Sequence, residues 1–381
     1  MRTWSTAMVL AMLACGLAAC SSFPDVSTVT DLRVLAVKAD PPEVFVKVTG
    51  LPDPSMPGMQ IDPTKLGIDP ASIPMIRMTP LIVDPRAGLG AITWDIRACP
   101  NDPFGPAPPG SVMGGPMDPG GGANNTVGST LCDAATPRLA AGLDPTMPYD
   151  VQLTPEQLRD AFRKDVFVDQ YGNPHGGFDL GMPLNFQIDV HEGGALVQTI
   201  KRVTFWARPW PDQAVNQIPT IPSVAAFGDR DPATFDLLLP MGTLSKTTPV
   251  SVSLTSGKGL WLLPEYHAFT DDPAIATDEH YRPTIINRDP PYQVIEGDET
   301  DERIRYAFYA TAGHFDPPRS VNQLVPGTVG TIHLESHYIP PATLSAVPVD
   351  AAGQHLVTVW VVVRDDRGGE SWLEGRIALE P

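Results

Sequence analysis

The chain has 381 residues, with 26 basic and 44 acidic side chains and a formal net charge of −18. That charge argues against binding to nucleic acid or to an anionic lipid surface, while the 42% apolar content is enough for a buried core in one to three domains. The 43 prolines are about twice the usual share, so they exclude long helices and favour short strands joined by turns.

The N-terminus has the pattern of a secretory signal. Arg2 precedes the uncharged apolar run 7–19, which is shorter than the roughly 20 residues of a membrane-spanning helix. Small residues end the run before Pro24. We therefore expect residues 1–19 to be removed as a signal peptide.

The end of this run resembles the lipobox of bacterial lipoproteins, on the residues Leu17-Ala18-Ala19-Cys20. The resemblance implies a lipid thioether on Cys20 and acylation of its new amino group, and a residue other than Asp next, here Ser21, implies the outer membrane. We expect a protein held on the bacterial cell envelope by its N-terminal lipid. The alternative is plain secretion, with Cys20 as a free thiol.

Residues 20–29 are expected to form a short tether that lifts the fold away from the bilayer. A first β module follows over 30–210. Alternating side chains over 29–38 predict an edge strand, and two more strands are predicted at 78–84 and 91–98.

A Pro- and Gly-rich insert over 100–150 is expected to be almost entirely loop, either functional or disordered. Cys99 and Cys132 lie beyond the signal of an exported chain, where a disulfide is the expected state. Their spacing contains no CxxC pair, so a zinc site is not expected. The alternative is two buried free thiols.

One short helix is predicted over 154–164. The order Thr154-Pro155-Glu156-Gln157 is that of a capping box, with proline at the first helical position. Leu158, Ala161 and Phe162 fall on one face, which we expect to pack across a sheet edge.

A β-hairpin is predicted after the helix, with Glu192-Gly193-Gly194 as its turn and 195–206 as its return strand. The outgoing strand, 184–191, alternates apolar and polar residues. Its apolar side chains are expected to point inward and its polar ones to face water: Asn185, Gln187, Asp189 and His191.

The C-terminus repeats this plan, with strands at 356–364 and 371–379 around the turn Asp365–Gly369. An aromatic strand precedes each hairpin, AITWDIRAC in one half and RIRYAFYATAG in the other. We interpret the chain as two copies of one β module, with a linker over 211–222 and the second module over 223–381. The predicted fold is mainly β, two tandem antiparallel β-sandwiches with one short helix. Chance likeness between β segments is the alternative.

The second copy resembles PKD-type and related immunoglobulin-like domains. The resemblance lies in Tyr306 and Tyr309, Ala312-Gly313 after them, and Val357–Asp365 followed by Gly368-Gly369. The first copy has Trp94 in its aromatic strand but lacks the Arg-Asp turn. The resemblance implies extracellular binding or spacing rather than catalysis.

A histidine pair in the sequence HLESH, 333–337, is the first candidate for metal binding. On a helix His333 and His337 would be neighbours, whereas on a strand they lie about 13 Å apart, too far for one ion. Alternation around them and the following Pro340-Pro341 predict a strand with a solvated histidine face. The order also differs from the HExxH of zinc proteases.

Carboxylates are dense in one expected loop, which makes it a weak calcium candidate: Glu296, Asp298, Glu299, Asp301 and Glu302. The twelve-residue calcium loop pattern is missing, so a solvated acidic loop is preferred and no other cofactor is predicted. Asp365–Gly369 is explained as a tight hairpin turn.

Motifs for enzymes are absent: the sequence has no GxSxG, no P-loop and no GxGxxG. A glycosidase needs only two carboxylates that are distant in sequence. Three tryptophans are candidates for stacking on sugars, although tryptophan in a sandwich is more often core: Trp206, Trp210 and Trp261.

We therefore expect a non-enzymatic, lipid-anchored binding or spacer protein that contacts an envelope protein or glycan through the loops 100–150 and 264–300. One alternative is a surface hydrolase of glycan or peptide, with a cleft holding two close carboxylates or a Ser/His/Asp set. Another is a subunit of an envelope assembly, with a contiguous exposed apolar patch.

Overall fold

The computed structural model describes thirteen stretches of the chain: residues 25–50, 65–86, 91–100, 131–164, 167–168, 174–175, 182–207, 216–265, 292–293, 299–300, 304–321, 333–350 and 352–381. In the first half, these stretches contain twelve strands and one α-helix: β1 (Arg33–Asp40), β2 (Glu43–Phe45), β3 (Val48–Thr49), β4 (Gly67–Ile68), β5 (Ile76–Val83), β6 (Ile92–Pro100), β7 (Arg138–Leu143), β8 (Tyr149–Val151), α1 (Pro155–Lys164), β9 (Phe167–Val168), β10 (Pro174–His175), β11 (Met182–Glu192) and β12 (Ala195–Trp206).

The second half adds strands only, apart from two single 3-10 turns at Leu254–Ser256 and Leu344–Ala346. Its strands are β13 (Val224–Arg230), β14 (Leu237–Thr243), β15 (Val250–Ser253), β16 (Leu260–Pro264), β17 (Tyr292–Gln293), β18 (Glu299–Thr300), β19 (Arg305–Ala310), β20 (His314–Asp316), β21 (Arg319–Val321), β22 (Ser336–Ile339), β23 (His355–Arg364) and β24 (Glu370–Glu380). The mainly β class is confirmed.

The first sandwich packs a three-stranded sheet, β1-β5-β8, against a five-stranded sheet, β2-β12-β11-β6-β7. Helix α1 closes one side of the core with the predicted face of Leu158, Ala161 and Phe162, all buried. The predicted capping box is present, because the Thr154 N–H donates to Gln157 Oε1 at 2.8 Å and the Gln157 N–H donates to Thr154 Oγ1 at 3.2 Å.

The second sandwich packs two five-stranded sheets, β14-β13-β16-β22-β20 and β15-β24-β23-β19-β21, around a separate core. Both predicted hairpins are present, as β11–β12 and β23–β24. The sheets are not wholly antiparallel as predicted, since β2 pairs with β12 and β15 with β24 in parallel.

The insert over 100–150 contains more structure than its composition predicts. Residues 101–130 lie outside the described residues, but β7 and β8 both fall in its second half. Strand β7 was missed because it is a bulged edge strand whose side chains do not alternate in burial. It is held by pairing with β6 and by the partly buried Leu139, Ala140 and Leu143, which pack against the core.

The polar face of β11 was predicted to face water, and this is wrong for Asn185, Gln187 and Asp189, which are all buried. The disulfide between Cys99 and Cys132 holds a segment over this face, where the Cys132 N–H donates to Gln187 Oε1 at 2.7 Å. Asp189 pairs with Arg97 at 3.3 Å. The disulfide prediction is confirmed, and the polar face that it covers is satisfied internally.

We expect the double substitution Cys99→Ser and Cys132→Ser to lower the free energy of unfolding by about 3–4 kcal/mol, because the bridge spans 33 residues of chain. Urea denaturation of the oxidised and the substituted chain measures this difference. A loss below about 1 kcal/mol would show that the polar network holds the covering segment without the bridge.

The prediction that residues 20–29 form a free tether is wrong for the end of this segment. Val29 is fully buried, and Thr28 forms a parallel bridge with Ala310 of the second sandwich. The reason is that β21 pairs only with the first half of β19, which leaves the backbone of Ala310 open to residues 27–29. The chain is therefore fixed well before β1, which begins at Arg33.

The two sandwiches share a third apolar cluster. Outward-facing residues of β1 and β5 pack on outward-facing residues of β23: Leu35, Ala36, Leu81, Val83, Trp360 and Val362, together with Val29. These positions lie on the outer faces of both sandwiches, so each sandwich buries apolar surface that it would otherwise expose.

Buried charges accompany this apolar contact. Glu370 lies 3.1 Å from Lys201 Nζ and 2.5 Å from Arg364 Nε, and its Oε2 accepts the Val37 N–H at 3.0 Å. Arg367, in the turn before it, pairs with the buried Glu43 at 2.6 Å. The segment 365–369 is thus a hairpin turn, as predicted, and is also the point where the second sandwich is held on the first.

The charge state of Glu370 follows from these neighbours. Burial opposes its ionisation, but Lys201 and Arg364, with the Val37 N–H, hold the pKa of this carboxyl below its usual value. Because the folded pKa is lowered, the stability that Glu370 contributes is present above the ordinary carboxyl pKa and is lost as the pH falls through the folded value.

We expect Glu370→Gln to lower the free energy of unfolding by about 3–5 kcal/mol at neutral pH, because two buried cations lose their counter-charge. Glu374→Gln is the matched control, since its partner Lys246 is exposed and the pair should contribute about 0–1 kcal/mol. Denaturation at neutral and acid pH measures both. A Glu370→Gln deficit that stays constant in acid would contradict the proposed ion pairing.

Candidate functional site

Exposed apolar side chains concentrate in one short stretch of the second sandwich. Of the eleven large hydrophobic residues exposed in the described part of the chain, four lie within 235–241. We call them the apolar strip: Phe235, Leu238, Leu239 and Met241. Strand β14 carries three of them and is the edge strand of its sheet, so among the described strands only β13 pairs with it. A clustered exposed patch is typical of an interaction site, whereas scattered apolar residues are not.

The backbone of the strip is strained. Phe235 and Leu239 have φ values of 64° and 59°, and across the described residues no other residue except glycine has positive φ. Such conformations cost about 1–3 kcal/mol each for residues with a side chain. The strain falls on two large, exposed apolar residues, at positions where a glycine would avoid it.

A cationic side chain of the same sandwich packs between one aromatic residue of the strip and a second aromatic ring. The Arg230 guanidinium lies 4.7 Å from the Phe235 ring centroid and 4.7 Å from that of Trp261. Arg230 Nη2 also pairs with Glu335 Oε1 at 2.8 Å. A guanidinium between two rings, with its charge neutralised, holds Phe235 in one position.

The two histidines of the predicted pair contact different aromatic rings. His333 packs against Phe235, with ring centroids 5.3 Å apart, whereas His337 stacks on Trp261 at 4.5 Å. Burial lowers the pKa of His337. Glu335 lies between the two histidines on the face predicted to be solvated, and that prediction is wrong for it, because it is buried and paired with Arg230 of β13.

The carboxylates at the turn before β14 give its margin a negative charge. The ammonium of Lys258 lies 2.6 Å from Asp229 and, with the Arg230 N–H, holds the pKa of that carboxyl below its usual value. Asp231 and Asp236 bond instead to the N–H groups and hydroxyl of their own turn.

Sugar stacking on Trp261 is not supported, because its ring already stacks on His337 and lies under the Arg230 guanidinium. Trp206 stacks on Phe45 with centroids 6.4 Å apart. Trp210 lies outside the described residues.

Two neighbouring carboxylates, Asp84 and Glu192, both pair with Arg86, at 2.9 and 3.1 Å. Hydrogen bonds from Arg86 lower the pKa of Asp84 to about 2, and the Asp84 carboxyl raises the pKa of Glu192. The Asp84 side chain has 0% exposed surface, so it has no access to a substrate.

A histidine and an aspartate also meet at His191 and Asp95, 3.1 Å apart. In the part of the chain that the structure describes, no serine or threonine hydroxyl bonds to His191. The nucleophile–base contact of a hydrolytic triad is therefore not formed by these residues.

The predicted lipidation residue Cys20 lies outside the described residues, as do four of the five calcium candidates, Glu296, Asp298, Asp301 and Glu302; only the backbone of Glu299, in β18, is described. Among the residues whose positions are described, no group of three or more His, Cys, Asp or Glu side chains could hold a metal ion. The described helices include none long and apolar enough to cross a membrane.

No known protein family, curated protein or solved structure matches the chain. The strip is thus defined by its geometry alone. Sequence reasoning missed it because LLLPMGT, 237–243, has the composition of a buried strand. Its exposure follows from the position of β14 at the sheet edge.

We expect Leu239→Gly to be at least about 1 kcal/mol less destabilising than Leu238→Gly, because glycine relieves the positive φ only at Leu239. The two leucines are neighbours and both exposed, which makes them matched. Chemical denaturation gives the difference. Equal losses would mean that Leu239 carries no strain.

Proposed function

We propose that the chain is a lipid-anchored envelope protein that acts without catalysis, as a subunit that binds another protein through the apolar strip. The observation that carries this proposal is the clustering of four exposed apolar side chains, three on the edge strand β14 and one in the turn before it. A contiguous exposed patch is what an assembly subunit requires and what a spacer does not.

The chemistry of the strip favours a protein partner. Its stretch 237–243 has no charged residue, in a chain with a net charge of −18. Aromatic and methionine side chains are enriched in interface cores, and arginine is enriched among the residues that contribute most to binding. Arg230 holds Phe235 in place before any partner arrives, which lowers the entropy lost on binding.

The proposed location is the outer membrane of the bacterial envelope. The lipobox-like residues at Leu17–Cys20 support lipidation of Cys20 and the outer membrane. The likeness to PKD-type domains, which rests on the aromatic strand β19 and the hairpin β23–β24, supports a binding rather than a catalytic role. The loops first expected to bind, 100–150 and 264–300, are replaced by the strip in this proposal.

We expect a photo-crosslinking amino acid at Leu239 to capture one discrete partner in intact envelopes, because this side chain is exposed within the strip. The matched control is Leu196, which is exposed to a similar degree but lies on the first sandwich, outside the strip. Met241→Ser in the Leu239 variant should reduce the captured product.

Capture at both positions alike, or product that is insensitive to Met241→Ser, would contradict the proposal. Hydrolysis of envelope glycan or peptide by the purified chain would favour the enzyme alternative instead.

A further inference from the structure

The point where the chain leaves the fold toward its anchor is defined by four hydrogen bonds. The Ala310 N–H donates to Ser27 O, and the Val29 N–H donates to Ala310 O, both at 2.8 Å. Ser27 Oγ accepts the Phe315 N–H at 2.9 Å, and Thr28 Oγ1 donates to Gly313 O at 2.6 Å. Residues 27–29 are therefore part of the second sandwich.

This exit lies on one edge of the second sandwich. Ala310 ends β19, beside the edge strand β21, and Phe315 lies in β20, the edge strand of the facing sheet. Strand β14 is at the opposite edge of that facing sheet, four strand intervals from β20. At about 4.8 Å per interval, the strip lies about 19 Å across the sheet from the exit.

The fully extended tether to the lipid is about as long as this width and no longer. Four residues lie between Cys20 and Asp25, the first residue that the structure describes, so five Cα-to-Cα steps join the two. Fully extended, they span at most about 18 Å. The exit at the edge formed by β20 and β21 therefore stays within about 18 Å of the lipid when Cys20 is lipidated, whereas the strip can lie farther away.

The charge at the strip favours the same orientation. Asp231 and Asp236 accept hydrogen bonds only from their own turn, and the nearby cations Arg230 and Lys258 are paired with Glu335 and Asp229. An apolar strip with an unneutralised acidic margin is repelled by anionic lipid and complements a partner with basic residues beside an apolar surface.

We propose that the β20–β21 edge faces the membrane and that the strip, on the opposite edge, is presented away from it to a protein with a basic margin. This inference rests on the proposed lipid anchor at Cys20 and on the proposed binding role of the strip. The anchor and the binding surface then lie on opposite edges of one sandwich.

The test measures energy transfer from a fluorophore to rhodamine-labelled phosphatidylethanolamine in phosphatidylethanolamine–phosphatidylglycerol vesicles that carry the lipidated full chain. The fluorophore is attached through an unnatural amino acid at Val321 of β21 or at Leu239, both exposed. We expect several-fold more transfer at Val321. Equal transfer, or more at Leu239, would overturn the proposed orientation and indicate that the strip contacts lipid.

Two controls separate the assumptions. Cys20→Ala should abolish vesicle attachment, and if it does not, the anchor proposal fails whatever the orientation. A flexible insert of about 20 residues after Ser22, with a reach of about 25 Å, should lower transfer at Val321 toward the value at Leu239. Unchanged transfer would show that another contact, not the short tether, holds this edge on the bilayer.

The charge argument is tested separately with the Leu239 crosslinker. Asp231→Asn with Asp236→Asn should reduce the captured product several-fold at low salt and have little effect at high salt, because exposed charges are screened. Equal yield at low salt would overturn the basic margin while leaving the binding role of the strip intact.

Discussion

The arrangement of the two sandwiches depends on one buried carboxylate. An ion taken out of water costs several kcal/mol unless it is paired and hydrogen-bonded. Glu370 finds its partners on both sides of the contact: Arg364 on its own sandwich, and Lys201 and the Val37 N–H on the other. Neither sandwich alone satisfies it, so the charge favours one specific way of packing the apolar surfaces together.

This contact decides which surface is left to bind. The outer face of the β19–β23–β24 sheet is covered by the first sandwich, and residues 27–29 and β21 cover the outer edge of β19. On the facing sheet, β14 keeps its edge and its apolar side chains exposed. The same strand carries the positive φ of Leu239, a cost that a purely structural edge could avoid with glycine.

Local signals predicted helix α1 and the seven described strands of eight or more residues, but few of the shorter strands. The capping box at Thr154, the turn Gly193-Gly194 and the alternation of β11 are short-range patterns, and each gave the expected element. Burial was predicted less well, because alternation shows only that two faces differ. The polar face of β11 is buried by a segment held through Cys132, which lies far away in sequence.

The contact between the sandwiches has a local sign in the sequence. Lys201 is a charged residue at a position of β12 that otherwise faces the core, and the structure pairs it with Glu370 of the second sandwich.

The sequence by itself determined the mainly β class, helix α1, the hairpins and the disulfide, because these follow from periodicity, turn residues and the pairing of two cysteines. Only the tertiary structure decided where the sandwiches meet and which strand is left uncovered. The leucine run of β14 has the composition of a buried strand, and its exposure comes from its place at the end of a sheet. Strand order is set by contacts between distant segments, which no local pattern encodes.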